Sequence, residues 1–420
     1  MWRLVTGAFT PFLVPWWDEA EWQEVDRWLR RQGAAGARSA LERRVEAMLG
    51  DGWRAWGLSS GRAAIQVALQ AFRLPGDSEV LIPSFLCSSV AVAVIQAGLR
   101  PVLVDVDEQF NIRLESVLEA DRAQVRAVVL PHLSGCWARD AEALVAWARG
   151  RGVLVVEDAA QAFGLRHGER LAGTFGDVGV FSSGPGKPIF GPGGGWLVTR
   201  SSAVAHHVSG LPLREQPGAE AVRHLRAFLG RFAKTGARRG QRLLRQVLVD
   251  RVLPRRRGSD LAGDTNAMTG FAVAAMSDLD AVLADCQVAK LESSIERRRE
   301  SSDRWRRLLD GPAFDGLRVL PPDGNIHTNL LVAFPRPQGE QQSRLLRRVL
   351  WAHGVETEPS YRPLHLRPPF DRLRRTAMPN TERQWRGAFG VPVRPNLQDV
   401  DWARIEQALR HAARLWGRAG

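Results

Sequence analysis

The sequence predicts an α/β protein: a large domain built on a mainly parallel sheet of the seven-stranded type, followed by a smaller C-terminal α/β domain. Three observations lead there. Short apolar runs bounded by turns recur between about Gly50 and Thr199. Several are apolar on consecutive positions, as strands buried on both faces are. Helical patterns separate them, which is the rhythm of βαβ units.

In chain order the runs are EVLIP (79–83), RPVLVDV (100–106), VRAVVLP (125–131), GVLVVED (152–158), VGVFSS (178–183) and GGWLVT (194–199). Between them lie RAAIQVALQAF (62–72), SSVAVAVIQAG (88–98) and RDAEALVAWARGRG (139–152), each with apolar residues at helical spacing. Residues 200–262 break the rhythm. HLRAFLGRFAK and QRLLRQVLVDRVL read as two basic amphipathic helices around a Gly/Arg hinge. A helical pattern resumes from 264 to about 309. A smaller α/β unit then closes the chain with TNLLVAF (328–334), a helix at 340–353, a Pro-rich segment at 359–370 and a last helix near 399–417. The expected division is therefore 1–262 for the large domain, with a basic insertion at about 205–262, and 263–420 for a linking helix and the small domain.

Composition narrows the function classes. The three cysteines, Cys87, Cys136 and Cys286, form no C-x-x-C pair, so neither a zinc framework nor an iron–sulfur ligand set is expected, and a reducing cytoplasm fits. The apolar opening residues resemble a signal peptide, but Pro11 and Pro15 interrupt them and no small-residue cleavage site follows. No run reaches the roughly 18–20 apolar residues of a membrane span. The net charge of +13 suggests a polyanion binder, yet twelve Lys/Arg against the single acid Asp250 lie between Arg223 and Arg257. One segment thus holds nearly the whole excess. No nucleic-acid motif accompanies it, so nucleic acid is not an expected partner. The plain reading is a helical hairpin with its arginines in water. The alternative is peripheral contact with an anionic membrane, where each basic residue contributes on the order of 1 kcal/mol.

In α/β folds ligands gather at the carboxyl ends of strands, so the polar residues closing the apolar runs are the candidates for chemistry. VLVVEDAAQAFG ends a strand in Glu157 and Asp158, with Gln161 about one helical turn later. A carboxylate there can hold a ring nitrogen in its protonated form; the alternative is that Asp158 caps the next helix. In FSSGPGKPIFGPGGGW, Lys187 stands in a glycine-rich loop between two strands, where a ligand can approach the backbone. A solvated loop lysine is the alternative, but the chain has only three lysines, Lys187, Lys234 and Lys290, and keeps one here. In GLSSGRAAIQVAL, Ser59, Ser60 and Gly61 precede a helix whose first N–H groups could receive a phosphate, with Arg62 adding a charged contact. An ordinary N-cap serine explains the same residues.

Together these segments resemble the DegT/DnrJ-type sugar aminotransferases, which are fold-type I pyridoxal-phosphate (PLP) enzymes. The resemblance runs through GLSSGRAA, LPHLSG, VVEDAAQAFG, FSSGPGK, KLESSIERRRE, YRPLHLRPPF and FGVPVRPNL. It implies that Lys187 carries PLP as a Schiff base and moves the proton between substrate carbon and cofactor. It also implies that Asp158 pairs with the pyridine nitrogen and Gln161 bonds the phenolic oxygen. Ser182, with the helix start at Arg62–Ala63, would hold the phosphate. His132 falls at the family's strand-end histidine.

The implied activity is transfer of an amino group from glutamate or glutamine to a keto-sugar, nucleotide-linked, by a homodimer. Three departures stand out. Cys87 occupies the position where the family stacks an aromatic ring on the cofactor. Arg62 stands where threonine is frequent. The Asn-x-Arg-Met element that reaches a neighbouring subunit's phosphate has no match; FAVAAMSDL (271–279) is the nearest run, and Asn266 the nearest substitute. A sugar dehydratase of the same family, in which the resemblance places histidine instead of lysine, and a non-catalytic homologue are the rival readings.

Overall fold

The computed structural model describes residues 9–30, 35–232, 271–334 and 339–416. Seven strands form the large sheet: β1 (Arg54–Leu58), β2 (Glu79–Pro83), β3 (Arg100–Val104), β4 (Val125–Pro131), β5 (Leu154–Asp158), β8 (Val178–Ser182) and β9 (Gly195–Thr199). A two-residue-per-strand hairpin, β6 (Arg166–His167) and β7 (Arg170–Leu171), stands apart. The order is β1-β9-β8-β5-β4-β2-β3, and only β9 runs against the others. The near-continuous apolar runs have the burial expected of them. Every residue of β8 and β9 is buried, as are all but the first of β2, β3 and β5. Helices cover both faces, including Gly61–Ala71, Ser88–Gln96 and Ala141–Arg151. Burying each Val, Leu or Ile of these strands contributes about 1.5–3 kcal/mol, which fixes their position against the helices.

Strand β1 was not among the expected runs. RAWGL carries an exposed arginine and a glycine, and gains its strand conformation by pairing antiparallel with β9 from Arg54–Thr199 to Leu58–Gly195. Pairing of this kind is a tertiary effect that local propensity does not report.

A second, four-stranded antiparallel sheet joins β10 (Arg318–Leu320), β11 (Leu330–Ala333), β13 (Ala388–Val391) and β12 (Glu358–Pro359) in that order. Its core gathers Trp305, Leu330, Val332, Phe389, Trp402 and Ile405 from strands and helices of the last hundred-odd residues. The expected helices at 340–353 and 399–417 are Gly339–Ala352 and Asp399–Trp416. The helical stretch expected over 264–309 is two helices among its described residues. Asp278–Ala289, capped by the Ser277 side chain, packs on Ala37–Leu49 and Glu19–Leu29, and Leu291–Leu309 follows the break at Lys290. The start of the described chain returns to the small sheet's unit, where the Thr10 N–H donates to Gly354 at 2.7 Å.

Of the basic insertion, the first expected helix is present as Gly218–Phe232, with Leu225, Phe228 and Phe232 buried. The second, with most of the arginines to Arg257, and Asn266 lie outside the described residues. Among the described residues no helix is long and apolar enough to cross a membrane.

Candidate active site

Strands β4, β5 and β8 are parallel, so their carboxyl ends lie on one edge of the sheet. That edge carries Pro131–His132, Asp158 and Ser182, and the chain leaving β1 adds Ser60–Gly61 before its helix. Together they line a cavity of about 290 Å³ with Arg62, Cys87, Gln161 and Lys187. Of the residues expected at the cofactor, Arg62, Cys87, Asp158, Gln161, Ser182 and Lys187 are therefore in its wall, while Ala63 is buried in the first turn of Gly61–Ala71. Gly61 permits this convergence: a Cβ there would lie 3.0 Å from Cβ of Ser182, and one on Gly195 would lie 2.4 Å from the Gly61 nitrogen.

Lys187 sits on the loop between β8 and β9. The loop's base is closed by Ser183, whose N–H donates to Gly194 at 3.0 Å and whose hydroxyl donates to the Gly193 carbonyl at 2.6 Å. A turn bond from the Lys187 N–H to Gly184 holds the lysine's own backbone at 3.2 Å.

Asp158 is 8% exposed. Burial pushes its carboxyl above the usual range, against the opposing pull of the Lys187 charge, the Ala160 N–H and His132. Among the described residues one hydrogen bond reaches it, from Ala160 N–H to Oδ1 at 3.0 Å. No helix follows β5: residues 159–164 are turns, so Asp158 is not a helix cap, and Gln161 reaches the cavity from a turn.

Gln161 is oriented by its neighbours. Its Oε1 accepts from the Ser134 N–H at 2.8 Å and from Asn329 Nδ2 at 3.3 Å, so the group it offers the cavity is the amide donor. Its carbonyl accepts from the Thr328 hydroxyl at 2.6 Å, and buried Arg298 donates in turn to the Thr328 carbonyl at 3.1 Å. Gly135, at φ +73°, lets this loop from the small-sheet unit close in; a Cβ there would lie 2.6 Å from Ile326.

The strand-end histidine has a fixed ring. His132 Nδ1 accepts from the Ala138 N–H at 3.1 Å, which leaves Nε2 carrying the hydrogen it donates to Glu157 at 2.8 Å. Trp137 stacks on His132 at 4.5 Å and His167 on Trp137 at 4.4 Å, so three rings brace one another behind the cavity wall. Burial raises the Glu157 carboxyl. The hydrogen bond from His132 and the N–H groups of Gly173 and Gly176 outweigh it and hold the group below the usual range.

Glu157→Gln leaves a carbonyl and an NH₂ among donors from Gly173, Phe175, Gly176 and His132. Its expected cost is roughly 3 kcal/mol in urea unfolding. Because the native pKa lies below the reference value of 4.5, the carboxylate's contribution is complete above about that pH and is lost as pH falls through the native value. The loss measured for the glutamine variant should therefore shrink in acid.

At the far end, Ser60 caps the helix through the Ala63 N–H at 3.3 Å, a long bond that leaves this N–H open to a charged acceptor. The Arg62 guanidinium lies over the Phe271 ring, 5.0 Å from its centroid. Among the described residues no carboxylate pairs with it. Ser182 Oγ accepts from the Gly184 N–H at 3.3 Å and keeps its own hydrogen to donate. An arginine, a serine hydroxyl and a helix start on the wall of one cavity are groups that can receive an anion such as a phosphate. Cys87 is half-buried on the cavity wall, its thiol 3.0 Å from the Ser89 hydroxyl, so no aromatic ring comes from this position.

These features fit pyridoxal phosphate. A buried carboxylate with one protein donor stands where a cationic ring nitrogen would complete it. An amine on the same cavity wall opposes the burial that raises that carboxyl, and groups able to receive an anion line the cavity too. Ser134, Asn329 and the three-ring stack were not anticipated, because each joins residues that are distant in sequence.

The DegT/DnrJ/EryC1/StrS aminotransferase family profile matches residues 17–410. The chain is 37% identical, over 158 residues, to the UDP-N-acetyl-3-dehydro-alpha-D-glucosamine 3-aminotransferase of Acidithiobacillus ferrooxidans, covering 37% of this chain and 42% of that protein. It is 26% identical over 84% of its length to the dTDP-4-dehydro-2,3,6-trideoxy-D-glucose 4-aminotransferase of Saccharopolyspora spinosa, 83% of which is covered. The chain spans less than half the length of relatives matched above 30% identity. Its fold is that of the aminotransferase TlmJ from Streptoalloteichus hindustanus, with a TM-score of 0.72 at 24% identity, covering 97% of this chain and 99% of that one.

Proposed function

The chain belongs to the DegT/DnrJ/EryC1/StrS aminotransferase family, and from that premise we propose that it is a PLP-dependent transaminase acting on a keto-sugar. In this reading the amino group comes from glutamate or glutamine. The acceptor is nucleotide-linked and belongs to polysaccharide or secondary-metabolite biosynthesis. The observation that carries the proposal is the pairing of Asp158 and Lys187 across one cavity, strong enough for the lysine's charge to pull on the buried carboxylate.

When bound, the cofactor supplies an electron sink and a carbonyl that takes up and returns the amino group. The chain's residues supply the rest. Asp158 holds the ring nitrogen protonated, because a buried carboxylate stabilises a cation beside it. Gln161 donates its amide hydrogen to the ring oxygen and is kept in that orientation by Ser134 and Asn329. Arg62, Ser182 and the helix start at Ala63 bind the phosphate. Lys187 would hold the cofactor and is the amine placed to carry a proton to and from the substrate carbon. Leu86 and Val90 add apolar surface to the cavity wall beside Cys87.

The rival dehydratase reading is disfavoured by a lysine rather than a histidine at 187. The same proposal includes a cytoplasmic homodimer, and sedimentation with anionic liposomes tests whether segment 223–257 touches membranes. The direct test is to load the protein with pyridoxamine phosphate and mix it with nucleotide-linked keto-sugars. Formation of the amino-sugar together with the return of the cofactor's visible band supports the reading. Protein that binds no cofactor supports a non-catalytic homologue instead.

A further inference from the structure

A second, smaller cavity of about 60 Å³ lies against the wall of the first. Leu133 lines both. Ser134 and Asn329, which orient Gln161, also line the smaller one. The smaller cavity therefore begins immediately beyond the residue that faces the cofactor's ring, on the side formed by the small-sheet unit.

Its composition differs from that of the first. Phe12, Phe85 and Tyr361 present aromatic surface, with Phe85 and Tyr361 edge to face at 5.7 Å. The charged group is Glu358, on β12. Among the described residues no hydrogen bond or ion pair reaches its carboxylate. Neighbouring Glu356 is already engaged, accepting from the Phe12 N–H at 2.7 Å. Across the ladder Glu358 faces Gly390, and a Cβ at that glycine would lie 2.9 Å from the Phe12 ring. Any side chain at 390 would therefore crowd the cavity against Phe12.

We propose that this cavity is the acceptor subsite, in which Glu358 accepts hydrogen bonds from hydroxyls of the keto-sugar while the aromatic rings pack against its C–H faces. This rests on the reading of the chain as a keto-sugar aminotransferase. A sugar ring offers hydroxyl donors around its edge and apolar faces above and below. A carboxylate with free lone pairs beside aromatic rings matches both. The same carboxylate repels a dicarboxylic amino donor, so it separates the two substrates that must use one site in turn.

Burial, and then Glu356, push the Glu358 carboxyl up to about 7, with Arg231 pulling the other way. Glu356, Arg231 and Tyr361 are the titratable or charged groups facing it. The ionised form is the better acceptor, so the KM for the sugar falls as pH rises through about 7.

The test uses full-length, cofactor-loaded wild type, Glu358→Gln and Glu358→Ala. The donor half-reaction is followed with glutamate, the acceptor half-reaction with UDP- and dTDP-linked 3- and 4-keto-hexoses, and sugar binding by calorimetry. The expected result is a rise of about 10-fold or more in acceptor KM and Kd for both variants, with the wild-type inflection near pH 7 absent from Glu358→Gln. The glutamate half-reaction should stay unchanged or improve. Acceptor KM, Kd and pH profile within twofold of wild type in both variants overturn the assignment of Glu358 and leave the enzymatic reading standing. Wild type that reacts with glutamate but binds none of these sugars overturns both the subsite and the sugar substrate. Failure of wild type to take an amino group from any donor removes the enzymatic reading itself.

Discussion

Lys187→Ala should lower amino transfer by about 10⁴-fold or more while leaving cofactor binding measurable. Among the described residues no second amine can take over. Lys290 is committed to Asp18 and Glu21 through contacts of 2.7 and 2.8 Å, and it does not line the cavity. Arginine is no substitute, because a guanidinium does not give up its proton in a protein. Lys187→Arg should therefore be as inactive as the alanine variant. The groups proposed to bind the cofactor without covalent attachment, Asp158, Ser182 and Arg62, remain in both. The check is single-turnover amine transfer alongside a cofactor titration of the same preparations. Retained binding with lost turnover separates Lys187's chemical part from a folding defect.

Asp158→Asn should reduce turnover by roughly 10²–10³-fold and weaken cofactor binding as well. An amide at this place is nearly isosteric and can keep the Ala160 N–H bond. It has no charge to hold a ring nitrogen protonated, so the ring loses its pull on electrons. The buried position heightens the effect, since few water molecules are present to substitute for the lost charge. A readout beyond rate is available: the visible spectrum of the bound cofactor should change its pH dependence in Asp158→Asn. A variant that loses stability but keeps wild-type turnover per bound cofactor would point to a structural role only.

Much of this architecture is legible in the sequence, for identifiable reasons. β2, β4 and β8 could be located because a strand buried on both faces is apolar at consecutive positions. Asp158 could be located because a polar residue ending such a strand stands on the edge where ligands bind, whereas Ser182 was reached through the family resemblance. Lys187 could be located because the surrounding glycines mark a loop and because the chain has so few lysines. What could not be read is what depends on residues distant in sequence. β1 is a strand because β9 pairs with it, not because RAWGL prefers to be one. Gln161 was expected one helical turn after Asp158, whereas a turn carries it, and its orientation is set by Asn329, 168 positions away. The pinning of His132 between Glu157 and Trp137 likewise has no local signature. Its members are ordinary residues until the chain folds.

Cys87 marks where the sequence and the structure leave different impressions. The family resemblance implies an aromatic ring where the sequence has Cys87. The structure shows a cavity wall to which Leu86 and Val90 add apolar surface, with His132 braced from behind by Trp137 and His167.

The most direct measurement is borohydride reduction of the PLP-loaded protein followed by peptide mass spectrometry. The account predicts one stoichiometric pyridoxyl addition, on the peptide containing Lys187, and its absence from Lys187→Ala. Addition on Lys234 or Lys290 instead, or no covalent addition to protein that holds the cofactor, would contradict it.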